Sequence, residues 1–430
     1  MKTAEYSDRL CITAYGAVTP IGNTIQEIFE SLRGRKNGMR EIEKFDHRAL
    51  KTSKAGIPVE GNTAIRWPKE MRFHNGEIFY GQLAARRLIE QLDISAIYRP
   101  EEIGCILGID EPALDIERII AFSDGLPASI DRKSLITAAI ERFRIGDLLD
   151  ADTSAVMQAI HDIIPFSGTA FSHLGLCSAS TQSIGLAMRS IARGEIKVAI
   201  CGGISAKVTP INLVRLEGMG VTTTDEQFSF EARSRPFDRK RSGFVLAEGA
   251  VIFCIEKESC IKARNAKPLA FLMGYGGALC AQNIVAPHTD DVEMMLSMQC
   301  ALEDAQITPA EIDMISAHGT STQQNDFHES RAIVRVCGQS SPPVIATKSN
   351  HGHLIAAAGA MEILTVIAGF QNNFMPGIIN LDELDPLLPE GITLVRKNTH
   401  KSLRYVLKNS FGMGGGAASL ILGNPNITRG

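Results

Sequence analysis

One thiol and two imidazoles, each set among small residues, form the most coherent reactive group in this chain. They are Cys177 in GLCSAST, His318 in AHGTST and His353 in HGHLIAAAG. A thiolate can take up an acyl group as a thioester. Two neutral imidazoles can donate hydrogen bonds to the oxygen of an adjacent enolate. If a helix starts at Cys177, its positive end favours thiolate over thiol. His353 reads as the start of a second helix, which favours the neutral ring. His318 reads as the end of a strand, a usual place for ligand contacts in layered α/β proteins. Lys348 lies five residues before His353. If buried it needs an acidic partner, for which Glu329 is the candidate. The segment NSFGMGGGAAS (409–419) is rich in glycine, so its backbone can approach a ligand closely and supply half of an oxyanion hole. It lacks the lysine and hydroxyl of a phosphate-binding loop. Taken singly, each residue has a plainer alternative: an inert buried thiol, a loop histidine, a polar helix start, a surface lysine. Only together do they propose a reaction.

The elements that must position these groups alternate between strand and helix. Residues 9–18, 103–109, 197–201 and 249–255 read as strands, and 24–34 and 77–92 as helices. A second series follows: strands at 269–275, 312–317, 344–346, 405–409 and 419–422, and a helix at 291–305. The pattern implies a layered α/β architecture. The polar stretch EKESCIKARNAK suggests a boundary near 258–268, dividing the chain into residues 1–258 and 259–430. The two series mirror each other. Residues 178–193 and 354–370 both read as helices without a broad polar face, so both should be buried. Each follows directly on a reactive residue, so their N-termini should meet at one site.

The chain has 430 residues, 44% of them apolar, enough for a large core. Net charge is −4 with no long basic run, which argues against nucleic acid as a partner. The short cluster of Arg66, Lys69 and Arg72 reads as solvated surface. The N-terminus has no apolar leader, and the apolar run 354–370 is short for a membrane span and interrupted by Glu362, so a cytoplasmic protein is expected. Nine cysteines without a CxxC pair argue against a disulfide framework and against a structural zinc; no metal is expected.

At VAICGG (198–203), RPFDRKRSGFVLAEGA (235–250), AHGTST (317–322) and TKSNHGHLIAAAGAMEI (347–363) the chain resembles the β-ketoacyl-[acyl carrier protein] synthases. The likeness runs from RLCITAYGAVTPIGN near the start to NSFGMGGG near the end. It implies the thiolase fold, two similar βαβαβαββ halves stacked as five αβαβα layers, usually as a dimer. Cys177 matches the nucleophile and His318 and His353 the paired histidines. Lys348 and Glu329 match the charged pair that supports the first of them. Thr320 and Thr322 match the hydroxyls on the phosphopantetheine arm, and Phe411, Met413 and Gly414 the substrate side of the glycine loop. The backbone N–H groups of Cys177 and Met413 match the oxyanion hole. The implied reaction is decarboxylative condensation of a Cys-bound acyl group with malonyl carrier protein. It needs no dissociable cofactor, because the phosphopantetheine arrives on the acyl carrier protein. The implied partner is a like chain, or a chain-length-factor-like homologue in a heterodimer.

Several positions depart from the family pattern. Gly175 and Leu176 precede Cys177 where Thr or Ser, then Ala, is usual. Met413 replaces a gating phenylalanine, Gly416 and Ala417 replace Thr-Asn, and His351 stands where threonine is common. The loop at Cys280 lacks an aspartate, and residues 110–170 resemble the family poorly. These changes point to a specialised pathway, such as a polyketide, polyene or aryl lipid. The alternatives are a non-catalytic partner subunit, a housekeeping elongation enzyme, or a thiolase acting on coenzyme A thioesters.

Overall fold

The structure is a computed structural model. It describes residues 8–62, 75–112, 116–143, 152–280, 282, 286–338 and 340–427. The cluster of Arg66, Lys69 and Arg72 lies outside them.

One ten-stranded sheet runs through the molecule. In chain order its strands are β1 (Leu10–Val18), β2 (Ile103–Ile109), β3 (Ala170–His173), β4 (Val198–Ser205), β5 (Gly249–Lys257), β6 (Ala270–Leu279), β7 (Met314–Ser316), β8 (Val344–Ile345), β9 (Tyr405–Phe411) and β10 (Gly416–Gly423). The spatial order is β8-β7-β9-β10-β6-β1-β5-β4-β2-β3. Read outward from the middle, the two arms are identical. β1 is antiparallel to β5, β5 antiparallel to β4, then β4, β2 and β3 run parallel. Likewise β6 is antiparallel to β10, β10 antiparallel to β9, then β9, β7 and β8 run parallel. The arms join through a short β1–β6 contact, Leu10 to Leu272, Cys11 to Phe271 and Ile12 to Ala270.

Among the helices of the described residues, those that build the layers around the site are α1 (Gly76–Gln91), α2 (Thr153–His161), α3 (Ala179–Ala192), α4 (Val292–Ala305), α5 (Gln323–Cys337) and α6 (Ala358–Asn372). Ile78, Leu88, Val156 and Ile160 of α1 and α2 cover the outer face of the first arm against Ile103 and Leu107. Met298, Ala301 and Ile333 of α4 and α5 cover the second arm against Ile315 and Ile421. Between the arms lie α3 and α6, where Ile184, Met188, Met361 and Leu364 meet Phe253 on one side and Val406 and Leu420 on the other. Residues buried on every side cannot alternate polar and apolar, which is why β2 reads as an unbroken apolar run and α6 as an apolar run broken by Glu362 and Thr365. Every residue of α6 from Ala358 to Phe370 is buried. The segment Ile355–Asn372 has the length and apolarity to cross a membrane, and 89% of it is enclosed between the arms.

The two central helices touch closely. The Ala360 N–H donates to Ser180 Oγ at 3.0 Å, and a Cβ on Gly359 would stand 2.1 Å from Thr181 Oγ1. Small residues after each reactive position therefore let two backbones converge on one point. The expected elements lie where the sequence placed them, within a few residues. α2, α5 and the edge strand β3 were not among the expected elements. All nine cysteines are free thiols, and Cys11, Cys105, Cys201 and Cys254 are buried.

Candidate active site

The three reactive side chains arrive from three places. Cys177 is the middle residue of a 3₁₀ turn (Leu176–Ser178) that leads into α3. His318 lies two residues past the end of β7. His353 precedes a second 3₁₀ turn (Ile355–Ala357) that leads into α6. Both turns open on a non-glycine residue in the left-handed region, Leu176 at φ 46° and Ile355 at φ 43°. Such a conformation costs about 1–3 kcal/mol and persists only where the surroundings enforce it.

The structure brings Cys177, His318 and His353 together. Their sulfur and ring-nitrogen atoms lie within 4.8 Å of one another. His353 Nε2 is 3.0 Å from Cys177 Sγ, and the two imidazole centroids are 5.3 Å apart. Phe244 meets the His353 ring edge-on at 4.9 Å and Phe411 the His318 ring at 6.0 Å, so both rings are held in place. The trio lines a cavity of about 350 Å³, shared with Thr320, Thr322, Phe411, Met413 and Gly416. Thr320 and Thr322 face each other through their hydroxyls at 2.9 Å. Gly414 is not among the lining residues; it turns the loop at φ 82°. The backbone N–H groups of Met413 and of Cys177 itself are directed at the sulfur.

Hydrogen-bond partners fix the tautomers. Lys348 Nζ lies 3.1 Å from His318 Nδ1. An ammonium has only donors, so Nδ1 accepts and the ring proton sits on Nε2. The Ile355 N–H donates to His353 Nδ1 at 3.3 Å, which places that ring's proton on Nε2 as well. Burial, followed by the charge of Lys348, holds both imidazoles well below the usual histidine range, so both are neutral donors. The expectation of a neutral His353 agrees in direction; the main cause is burial rather than a helix terminus.

Cys177 departs from expectation. Burial, reinforced by Asp110, pushes the thiol up to about 12, against the pull of Lys348 and the two amides. The resting group is a thiol. The turn places Cys177 ahead of α3 rather than within its first turn, and a fully enclosed sulfur loses more from desolvation than the helix end returns.

The pairing of Lys348 with Glu329 is corrected. Glu329 accepts the backbone N–H groups of His318 at 2.7 Å and of Gly319 at 2.8 Å, so it anchors the strand end and not the lysine. Burial lifts its carboxyl to about 7. Lys348 instead pairs with Glu362 at 2.5 Å and also donates to the His318 carbonyl oxygen. The other oxygen of Glu362 lies 2.8 Å from Lys408 Nζ. All three of these side chains are fully buried. Sequence reasoning missed Glu362 and Lys408 as site residues. The available signal was a lone carboxylate inside an apolar helix, which must have a cation beside it. His351 is a buried structural group: its ring nitrogens face the Gly352 carbonyl and the Thr347 hydroxyl, and burial lowers it to about 4. A sulfur and two nitrogens at this spacing also suit a metal ion, but the two ammonium groups beside Glu362 oppose a further cation there.

Comparison with known proteins decides the family. Residues 140–260 match the β-ketoacyl synthase N-terminal domain and residues 269–382 the C-terminal domain. The chain is 31% identical to 3-oxoacyl-[acyl-carrier-protein] synthase 2 of Vibrio harveyi over 425 residues, covering 96% of this chain and 98% of the relative. This chain belongs to the β-ketoacyl synthase family. The synthase superimposes on a β-ketoacyl synthase from Burkholderia phymatum STM815 with a TM-score of 0.85 at 25% identity, over 97% of this chain and 99% of that one. It superimposes on the ishigamide ketosynthase/chain length factor with a TM-score of 0.82 at 27% identity, over 97% and 99%. The five-layered architecture is therefore the thiolase fold, and the synthase is an acyl-transferring condensing enzyme.

Proposed function

We propose that the synthase joins an acyl group held on Cys177 to malonyl carrier protein, with residues 1–258 supplying the nucleophile and 259–430 both imidazoles and the glycine loop. One observation carries this reading: the Cys177 sulfur, two Nε2–H donors and the Met413 amide converge on one cavity wall. An acyl thioester on phosphopantetheine enters past Thr320 and Thr322. Sγ attacks its carbonyl, the oxyanion forms against the two amides, and the thiol proton ends on the leaving pantetheine sulfur. The His353 Nε2–H, 3.0 Å from Sγ, donates to the sulfur and stabilises the thiolate as its proton leaves. Malonyl carrier protein then places its thioester oxygen between His318 and His353. Loss of CO2 leaves an enolate that both Nε2–H groups stabilise, each donor being worth about 3–4 kcal/mol in sites of this type. The enolate carbon bonds to the acyl carbon, the bond to Sγ breaks, and the sulfur regains a proton from solvent.

The specialised pathway rests on residues around this site. Met413 is a pliable thioether in the glycine loop. Asp110, buried at the end of β2, accepts the Ala356 N–H at 3.3 Å, and burial raises its carboxyl. Its charge is felt at Cys177, and a polar group there suits an oxygenated acyl chain better than a plain alkyl chain. Pairing with a like or related chain is supported by the exposed edge strand β3 and by exposed Ile119, Ile120, Ile136, Ile140 and Leu174. The intact trio disfavours a purely non-catalytic partner role. The test supplies purified synthase with malonyl carrier protein and competing saturated and oxygenated acyl starters. CO2 release with faster use of the oxygenated starters supports the proposal. Absence of CO2 release overturns the condensing reaction, and full replacement of a housekeeping synthase overturns the specialised pathway.

A further inference from the structure

Lys408 is a fully buried lysine in the middle of β9 that the reaction above does not use. A buried ammonium is retained only where its donors are satisfied. Its Nζ donates to the Asn409 carbonyl oxygen and to Ser410 Oγ, and stands 2.8 Å from Glu362 Oε2. Ser410 Oγ is in turn 2.7 Å from Thr181 Oγ1 in α3, four residues after the nucleophile. Lys348 takes the other oxygen of Glu362 and spends its remaining donors on the ring and carbonyl of His318. Glu362 is thus shared, one oxygen to each lysine.

We propose that Lys408 is a positioning residue for the decarboxylation step: by occupying Glu362 Oε2, it confines Lys348 to Oε1 and keeps that ammonium aimed at His318 Nδ1. Without Lys408, Glu362 presents two oxygens to a single cation, and Lys348 moves between them. His318 then loses the donor that keeps its proton on Nε2, and the enolate loses one of its two imidazole donors. The sulfur, its two amides and His353 are untouched by this change. The loss should therefore fall on one half-reaction only.

This inference rests on the condensing reaction proposed above, so the wild-type enzyme must first show both half-reactions; if it does not, that reading fails and not this one. The experiment compares wild type with Lys408→Met. Acyl transfer from an acyl carrier protein to Cys177 is followed by intact-protein mass, and malonyl carrier protein decarboxylation by CO2 release. The expected result is an acyl-transfer rate within about twofold of wild type and a decarboxylation rate lower by about tenfold to a hundredfold. In a Glu362→Gln background, where no second anionic oxygen remains to be occupied, Lys408→Met should add little to the decarboxylation loss. Equal losses in both half-reactions, or none in either, overturn the proposal. Lys408→Gln is read the same way where the methionine variant does not fold. Failure of both to fold makes Lys408 a purely structural residue and also overturns the proposal.

Discussion

Two turns, one in each half of the molecule, are built alike and do different work. Leu176–Ser178 and Ile355–Ala357 are both 3₁₀ turns, both open with a left-handed residue, and both feed a buried helix between the two arms of the sheet. The middle residue is Cys177 in one and Ala356 in the other. Two residues before the left-handed position stand Leu174, 63% exposed, in the first turn and His353, 1% exposed, in the second. The repeated scaffold thus fixes where a side chain can converge on the cavity. The residue type placed there decides whether it is a nucleophile, an imidazole or filler. Asymmetric substitution on a symmetric frame is what turns two similar halves into one site.

The most severe way to break this comparison is to make the turns chemically alike. Cys177→Ala should lower condensation by at least about a thousandfold, as removal of a nucleophile does. Malonyl decarboxylation should persist, because both imidazoles remain. Condensation that survives the change would show that the thiol is not the acyl carrier. The enclosure of that thiol predicts a pH signature of comparable size. Only the thiolate is alkylated, and its fraction grows about tenfold per pH unit until the group titrates. With Cys177 pushed up to about 12, alkylation by iodoacetamide should rise from pH 7 to pH 10 without a plateau. A plateau near neutrality would mean a thiolate at rest.

The two histidines separate next. His318→Ala should cut decarboxylation by about a hundredfold to a thousandfold and leave acyl loading nearly intact. His353→Ala should impair both steps, because its Nε2 also touches the sulfur. Equal profiles for the two variants would remove the distinction drawn from that contact. The smallest effect sharpens the comparison of the turns themselves. Leu176→Gly relieves a left-handed conformation at a residue 40% exposed and should change stability by less than about 1 kcal/mol. Ile355→Gly relieves the same conformation but removes a buried side chain, and should destabilise by about 1–3 kcal/mol. Chemical denaturation of both variants reads the difference.

Much of this was legible in the sequence because the reactive residues sit in small-residue runs, and such runs exist where backbones must come close. The mirrored series of strands and helices was readable for the same reason: buried runs repeat in each half. Three features were not. The partner of Lys348 lies on α6 rather than α5, and a charge in the core is matched through space, without a fixed spacing along the chain. Lys408 opens the polar run KNS in YVLKNSF, and nothing in such a run marks one member as half of a buried ion pair. β3 is only four residues long and partly exposed at a sheet edge, so it carries no apolar pattern to find. The expected thiolate failed on magnitude: the helix end was recognised, and the cost of enclosing the sulfur was not.

Intact-protein mass spectrometry of the synthase after mixing with an acyl carrier protein tests the central claim most directly. The account predicts one acyl group per chain, mapped to Cys177 and absent from Cys177→Ala, with the other eight cysteines unmodified. An acyl group on another residue, or none on a folded protein, would contradict it.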